Sequence, residues 1–445
     1  MKITGGRICL VAVLLLSVLT TGILAQSSGG SFTITSQVAA GGGCAPNGSG
    51  GCTPSIGSGN LVVTGTAAEP GAADLSRQPP NSVRGGFWYA TLGTAPTASS
   101  GMIRGTTVDD NGNPVAGVLI RLSGVQNRKT VTDANGNYSF LNVETNGFYT
   151  VMPARANYNF SPLNRSFSQT GNQTEAVFIA EGLGDTANPL DTAEFFVRQQ
   201  YLDVLGREPE ETGFNYWSDQ ILACGAEQRC VSARRRDVAA AFFIEQEAQQ
   251  TGSYIYDVYA GALGRRPLFS EYQSDHQQVL GSMNLNAEKM AFAESFVLRA
   301  EFTAKYLANT TAESFVDALI QNVRNASGGS AIDLSNQRNA LLGVYNDASN
   351  QPGATQNAGR AGVLRSIADN AVFKQSQYNQ AFVLTEYFAY LNRDIDLAGY
   401  NFWVGLLNTG DEGNYRGMVC SFVTSTEYQK RFSRIVSHSN GECGN

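Results

Sequence analysis

Apolar and polar residues alternate in two rhythms along this chain, and the change of rhythm divides it. Between residue 102 and about 181 the period is two. Ile103 to Val108 reads as a strand, and Val118-Leu119-Ile120-Arg121-Leu122 alternates outward and inward. Thr130-Val131-Thr132, Tyr138-Ser139-Phe140, Phe148 to Met152, Ser166-Phe167 and Ala176 to Ile179 continue the pattern. Such alternation marks half-buried strands. Asp109-Asp110-Asn111-Gly112-Asn113-Pro114 and Asp133-Ala134-Asn135-Gly136-Asn137 separate neighbouring runs. Their Asn-Gly pairs supply the positive φ that tight turns need. Seven short strands with regular turns predict a Greek-key β-sandwich over 101–181.

After Glu181-Gly182-Leu183-Gly184-Asp185, expected to open a linker over 182–190, the period becomes helical. Phe196, Val197, Tyr201, Val204 and Leu205 share one face. Asp191 and Glu194 are spaced to cap the helix start as a capping box, and Gly206 and Pro209 to end it. A second helix is expected from Thr212, carrying Phe214, Tyr216 and Trp217. The same block then returns. Val197, Tyr201, Leu205, Arg207, Gly213, Asn215 and Trp217 match Val383, Tyr387, Leu391, Arg393, Gly399, Asn401 and Trp403 without a gap. This is an internal repeat.

Two weaker copies lie between. Tyr259, Leu263, Gly264, Arg265 and Pro267 form one, and Phe315, Val316, Ile320 and Val323 the other. A trailing segment also recurs: Phe242 with Glu247, Phe296 with Glu301, Phe422 with Glu427, and Ile367 with Phe373 in the same places. Four units of about sixty residues result, near 191–252, 253–309, 312–378 and 379–436. Successive units should bury one another's apolar faces, so 191–436 is expected to fold as one all-α domain without the first 180 residues. Trp217 and Trp403 are expected in core packing. Arg207 and Arg393 should satisfy carbonyls at a helix end, while Glu210 and Asp396 cap the next helix.

The chain before the sandwich differs. Residues 26–100 are rich in Gly, Ser, Ala and Pro and read as a low-complexity spacer. Ser31-Phe32-Thr33-Ile34-Thr35 and Asn60-Leu61-Val62-Val63-Thr64 are strand-like fragments of a weak duplication there. Residues 1–25 read as a secretory signal: Lys2 and Arg7, an apolar stretch from Ile8 to Leu19, and a cut between Ala25 and Gln26. That stretch falls short of the roughly 20 residues a spanning helix needs, and no later stretch suits a membrane. Cysteine usage agrees with export. Cys9 lies in the signal, and the rest form three close couples: Cys44 with Cys52, Cys224 with Cys230, and Cys420 with Cys443 in the 437–445 tail. None has C-x-x-C spacing, and His276 and His438 are far apart, so disulfides are expected rather than zinc.

Charge and motifs narrow the function. The formal charge is −7, and the one basic run, Arg234-Arg235-Arg236, sits in a helical stretch and reads as a solvated face. Nucleic acid is therefore not an expected partner. The chain has no nucleophile elbow, zinc helix, phosphate loop or dinucleotide fingerprint. Two histidines leave little for His-based acid–base chemistry. Asp133 to Asn137 with Glu144 is spaced like a calcium loop, but a strand begins at Tyr138, so a hairpin turn is expected. Asp394 and Asp396 with Gly399 lack a distal carboxylate. No catalytic residue, metal or cofactor is expected.

Two resemblances add to this. Gly105, Asp109, Asn113-Pro114-Val115-Ala116-Gly117-Val118, Thr132 to Phe140 and Tyr149-Thr150-Val151 are similar to a carboxypeptidase regulatory-like domain, close to collagen-adhesin B-type repeats. The resemblance implies a prealbumin-like sandwich serving as a spacer or binding module. The lone Lys129 of this region gives no expectation of an isopeptide cross-link. Phe196-Val197-x-x-x-Tyr201-x-x-Val204-Leu205-Gly206-Arg207-x-Pro209, then Gly213 and Tyr216-Trp217, resembles a helical-repeat family of unknown function in secreted bacterial proteins, distantly similar to phycobilisome linker domains. That implies an all-α interaction scaffold without catalytic residues. The expectation is a multidomain chain: a Gly/Ser-rich segment, a β-sandwich, then an all-α repeat domain. Its expected role is that of an exported, extracellular or cell-surface, non-enzymatic scaffold whose partner is a protein or polysaccharide of the envelope or matrix. The alternative is polysaccharide binding through the sandwich, with Tyr149, Tyr158 and Phe160 as candidate rings; a glycoside-active enzyme ranks below both.

Overall fold

The computed structural model describes residues 55–57, 61–63, 74–78 and 81–84, and 100–444 apart from 170, 174, 282–283, 327–331 and 412. Ala25, Gln26, Cys44, Cys52 and the Ser31–Thr35 run lie outside the described residues. Two antiparallel hairpins belong to the first compact unit: β1 (Ser55–Gly57) with β2 (Leu61–Val63), and β3 (Asp74–Gln78) with β4 (Asn81–Arg84). β2 falls within the expected Asn60–Thr64 strand.

The alternating region folds as two four-stranded sheets. One has the order β10 (Tyr158–Ser161), β12 (Phe178–Gly182), β5 (Ser100–Asp109), β8 (Asn137–Glu144). The other runs β11 (Arg165–Ser168), β9 (Phe148–Ala154), β6 (Leu119–Gly124), β7 (Arg128–Val131). Only β12 and β5 pair in parallel within these sheets. β10 was not among the expected strands. Ile103, Ile120, Leu122, Phe140, Val143, Tyr149, Val151 and Phe178 fill the space between the sheets. Asp109 turns the chain by accepting from the backbone N–H of Asn111 and Asn113. Asp133 does the same with Asn135 and Asn137, and Gly112 and Gly136 take φ of 82° and 72°. The Asp133 run is thus a tight turn, but it carries the chain from β7 in one sheet to β8 in the other rather than closing the expected hairpin, and the Glu144 carboxylate lies with Gln126.

Each helical unit opens on a lead helix: Ala193–Gln200, Gly252–Leu263, Ala312–Ala326 and Ala371–Glu386. The first and last continue into π-helical turns, Tyr201–Leu205 and Tyr387–Leu391. Gly206, Gly264 and Asn392 then reverse the chain at φ of 68°, 73° and 51°, the left-handed region that Gly and Asn tolerate best. Second helices follow at Glu211–Leu222, Phe269–His276, Arg338–Ser349 and Leu397–Leu407. Third helices span Gln228–Ile244, Leu285–Phe296, Gln356–Ala368 and Gly413–Val423. Short helices Gln246–Gln250, Ala300–Lys305 and Thr426–Gln429 close units one, two and four. In unit three that closing helix is merged into the next lead helix, which therefore starts at Ala371 rather than near 379.

The helix start at Asp191 differs from expectation. Thr192 is the N-cap and makes no side-chain cap. Asp191 instead bonds Ser437 and lies 3.2 Å from His438, while Glu194 turns to Arg121. The units also do not simply stack in order; the last closes on the first. Phe243 packs against Phe382 and Tyr390, and Tyr390 donates to Gln200 at 2.6 Å. Asp203 accepts from Arg431 at 2.7 Å and Tyr428 at 2.9 Å. The tail completes the seam: Asn188 donates to the Ile435 carbonyl, and Glu442 accepts from Ser232. Disulfides join Cys224 to Cys230 and Cys420 to Cys443.

The sandwich is packed onto this helical body. Leu119 and Val131, on the outer face of β6 and β7, belong to the helical hydrophobic core. Around them Arg128 bonds Glu211 at 2.7 Å, Arg121 lies 3.2 Å from Glu194, and Lys129 pairs with Asp219. The Phe195 ring lies against Gly117. The expected linker is pinned: the Asn157 side chain accepts from the N–H of Thr186 and Ala187, and Asp185 accepts from that of Arg434. Independent folding of 191–436 therefore has to be weighed against an apolar joint. Leu119→Ala should cost about 2 kcal/mol and lower the melting of sandwich and helices together, in one transition. Calorimetry checks it; a two-step melt in which only one step moves would contradict the joint.

Candidate functional site

The repeat signature assembles one constellation three times. In unit one the Arg207 guanidinium lies over the Tyr201 ring at 5.1 Å. It grips Glu247 through Nε and Nη2 at 2.6 and 2.9 Å, and Glu210 through Nη1 at 2.7 Å. In unit two Arg265 lies 5.1 Å from the Tyr259 ring and bonds Glu301 and Glu271, each with two nitrogens. In unit four Arg393 lies 5.3 Å from the Tyr387 ring and bonds Glu427 at 2.7 and 3.3 Å, with Asp396 at 3.7 Å. Each arginine also donates to the carbonyl of the residue that follows it. The helix exit, the next helix and the closing helix of one unit are clasped by one side chain.

This corrects the expectation for Arg207 and Arg393. Their main partners are carboxylates, not the last carbonyls of the helix they follow. Glu210 makes no cap and spends its carboxylate on Arg207 and Tyr201. Asp396 does cap, accepting from the Gly399 N–H at 2.7 Å. Unit three has Ile320 and Val372 where the others place Tyr and Glu, and carries no such clasp.

Behind each clasp stands an aromatic stack. Tyr201, Tyr259 and Tyr387 meet Phe242, Phe296 and Phe422 edge to face at 4.8, 4.9 and 5.1 Å. Trp217 and Trp403 lean on Phe242 and Phe422, half-buried in the core. Gly213 and Gly399 are required, since a Cβ at either would collide with the Tyr201 or Tyr387 hydroxyl. Exposed rings stand beside the tryptophans at matched places, Tyr216 and Phe402.

Other candidate residues are placed differently from expectation. Arg235, read as part of a solvated face, is buried; it lies 4.0 Å from the Phe196 ring and donates to the Leu190 carbonyl. Burial holds its guanidinium down to about 10. Tyr149 and Phe160 are core residues, so two of the three candidate sugar-binding rings face inward. Tyr158 alone borders a cleft of about 330 Å³, with Asp109, Asp110, Asn111 and Arg155. The rings that are exposed include Phe148, missed because it heads a strand with an inward Tyr149. Asp394 accepts from the Phe269 N–H, joining unit four to unit two. His276 is buried, and burial pushes it down to about 4. Among the described residues no cluster of three His, Cys, Asp or Glu suits a metal ion, and no helix is long and apolar enough to cross a membrane.

With this geometry in place, comparison with known proteins is informative for two segments. Residues 102–177 match the carboxypeptidase regulatory-like domain. Residues 364–432 match a domain of unknown function, DUF4214. The second match starts in the third helix of unit three and ends after the closing helix of unit four, so it contains the whole clasp of unit four. Neither is an enzyme family. No curated protein matches the chain. A solved structure, described as that of the Streptococcal ancillary pilin, is 16% identical over 25% of this chain and 44% of its own, with a TM-score of 0.18.

The clasp makes a testable statement about pH. The bonds from Arg265 hold Glu271 and Glu301 below the ordinary glutamate value of 4.5. In the fold they stay ionised where the unfolded chain takes up protons. Their contribution is complete above that value and fades as the pH falls through the depressed folded one. Arg265→Gln should cost about 1 kcal/mol at neutral pH and less at about pH 3. Thermal melts across that range check it; a loss independent of pH would contradict the clasp.

Proposed function

We propose that this protein is an exported, extracellular or surface-located scaffold that acts by binding rather than turnover. The observation that carries this reading is the fate of the polar groups. Arginines and carboxylates at the repeated motifs are consumed in three copies of one structural clasp, whereas a catalytic group is needed once. The two disulfides and the regulatory-like domain support a place outside the cytoplasm. The signal-like residues 1–25 support the same. The partner is a protein or polysaccharide of the envelope or matrix.

The tagged mature chain should therefore retain a specific envelope component in a pull-down from its own cells. Arg393→Ala should lower the melting temperature by the equivalent of about 1 kcal/mol and leave binding by the folded fraction unchanged. Intact stability with lost binding would make Arg393 part of a site and overturn the reading. A second reading rests on the cleft beside Tyr158. Its ring, Arg155 donors and the Asp110 acceptor suit a saccharide's faces and hydroxyls. A glycan screen in which Tyr158→Ala abolishes a hit supports it; a screen without hits removes it.

A further inference from the structure

Units one and four are copies, yet their second helices are used differently. In unit one, Glu211, Asn215 and Asp219 follow one another at helical spacing along the helix Glu211–Leu222. Glu211 and Asp219 receive Arg128 and Lys129 of the sandwich, so this stripe is bonded to a basic strand, although the Asp219 side chain stays largely exposed. The matching stripe of unit four, on the helix Leu397–Leu407, is Leu397, Asn401 and Gly405. All three are exposed, Leu397 by 60%, and the neighbouring Phe402 by 62%. The acidic pair that seats a basic strand has become a leucine and a glycine. A stripe of this kind excludes a charged strand and suits an uncharged, apolar sheet face.

The chain itself carries such a face. On the outer side of the sheet β11–β9–β6–β7, Leu119 and Arg121 of β6 are turned to the helical body of their own chain. Arg121 pairs across the ladder with Met152, and Ser123 with Thr150, so β9 extends the same face. There it presents Phe148, Thr150 and Met152, the first exposed by 59% and the last by 46%. Thr150 bonds Ser166 of β11, so uncharged small residues flank the two apolar side chains. One part of this face already docks a helical unit. The remainder is continuous with it.

We propose that the helix Leu397–Leu407 of one copy docks the outer β9 face of the next, so that the protein assembles head to tail with itself. The inference rests on the scaffold reading and names one partner, a second copy. The side chains that meet are apolar, with Arg121 and Asp396 at the edges of the two surfaces, so release of water from Leu397, Phe402, Phe148 and Met152 drives the contact. Asn401 and the Thr150 and Ser166 hydroxyls supply polar partners at its rim. Because the two surfaces differ, the contact is heterologous and leaves a free face at each end of a pair.

Light scattering behind size exclusion, over a concentration series of the full mature chain, tests this. The wild type should grow in mass with concentration beyond a dimer. Leu397→Asp should be monomeric, and so should the double variant Phe148→Asp with Met152→Asp. Circular dichroism verifies that both fold, as all three side chains are exposed. Each variant keeps one intact face, so their mixture should form dimers and stop there. A wild type that stays monomeric overturns the docking but leaves the envelope pull-down, which tests the scaffold reading, unaffected. A Leu397→Asp monomer beside a sandwich variant that still self-associates would show a symmetric helix contact and overturn the head-to-tail arrangement.

Discussion

The helical half depends on one buried carboxylate. Asp203 sits in the π-helical turn of unit one, where burial raises its pKa and the Arg431 guanidinium opposes that rise. Arg431, Tyr428 and Gln199 bind it from 2.7 to 2.9 Å. Arg431 also donates to the carbonyls of Ala389 and Tyr390, in the π-helical turn of unit four. One ion pair thus holds the two wider turns together and brings the last unit against the first. A buried pair of this sort adds little net stability over an apolar one, but losing one partner strands the other. It therefore specifies closure more than it stabilises it.

Around that seam the clasps give each unit a fixed internal geometry. A guanidinium reaching from a helix exit to the closing helix sets the angle between helices that share few neighbours in sequence. Its partners are only partly buried, so each clasp contributes modestly and the aromatic stack behind it contributes more. Unit three, without the clasp, is tied differently: its closing helix is continuous with the lead helix of unit four. The sandwich adds a second apolar joint at Leu119 and Val131, which makes the described body from residue 100 onward one packed object.

Much of this was legible along the chain. Alternation placed the strands, and the ungapped match from Val197 to Trp217 placed the repeats. Both signals are local, and local periodicity is what a sequence displays best. Glu247, Glu301 and Glu427 were visible as recurring residues, but their arginines lie tens of residues earlier, so the bond was not. Arg235 was misread because charge normally marks solvent; the Phe196 ring and Leu190 carbonyl make its burial tolerable. Asp191 looked like a cap because the tail that claims it arrives some 250 residues later. Closure and the sandwich joint were hidden for the same reason: they pair surfaces distant in sequence.

Closure is the claim on which the rest stands, and hydrogen exchange on an Arg431→Met variant tests it most directly. The substitution keeps an apolar stem but leaves Asp203 buried without its cation, at a cost of about 3 kcal/mol. If the first and last units form one seam, amides of Ala193–Gln200 and of Ala371–Glu386 should lose protection together, although only unit four is altered. Loss confined to the neighbourhood of residue 431, with the first lead helix as protected as in the wild type, would contradict the closed arrangement.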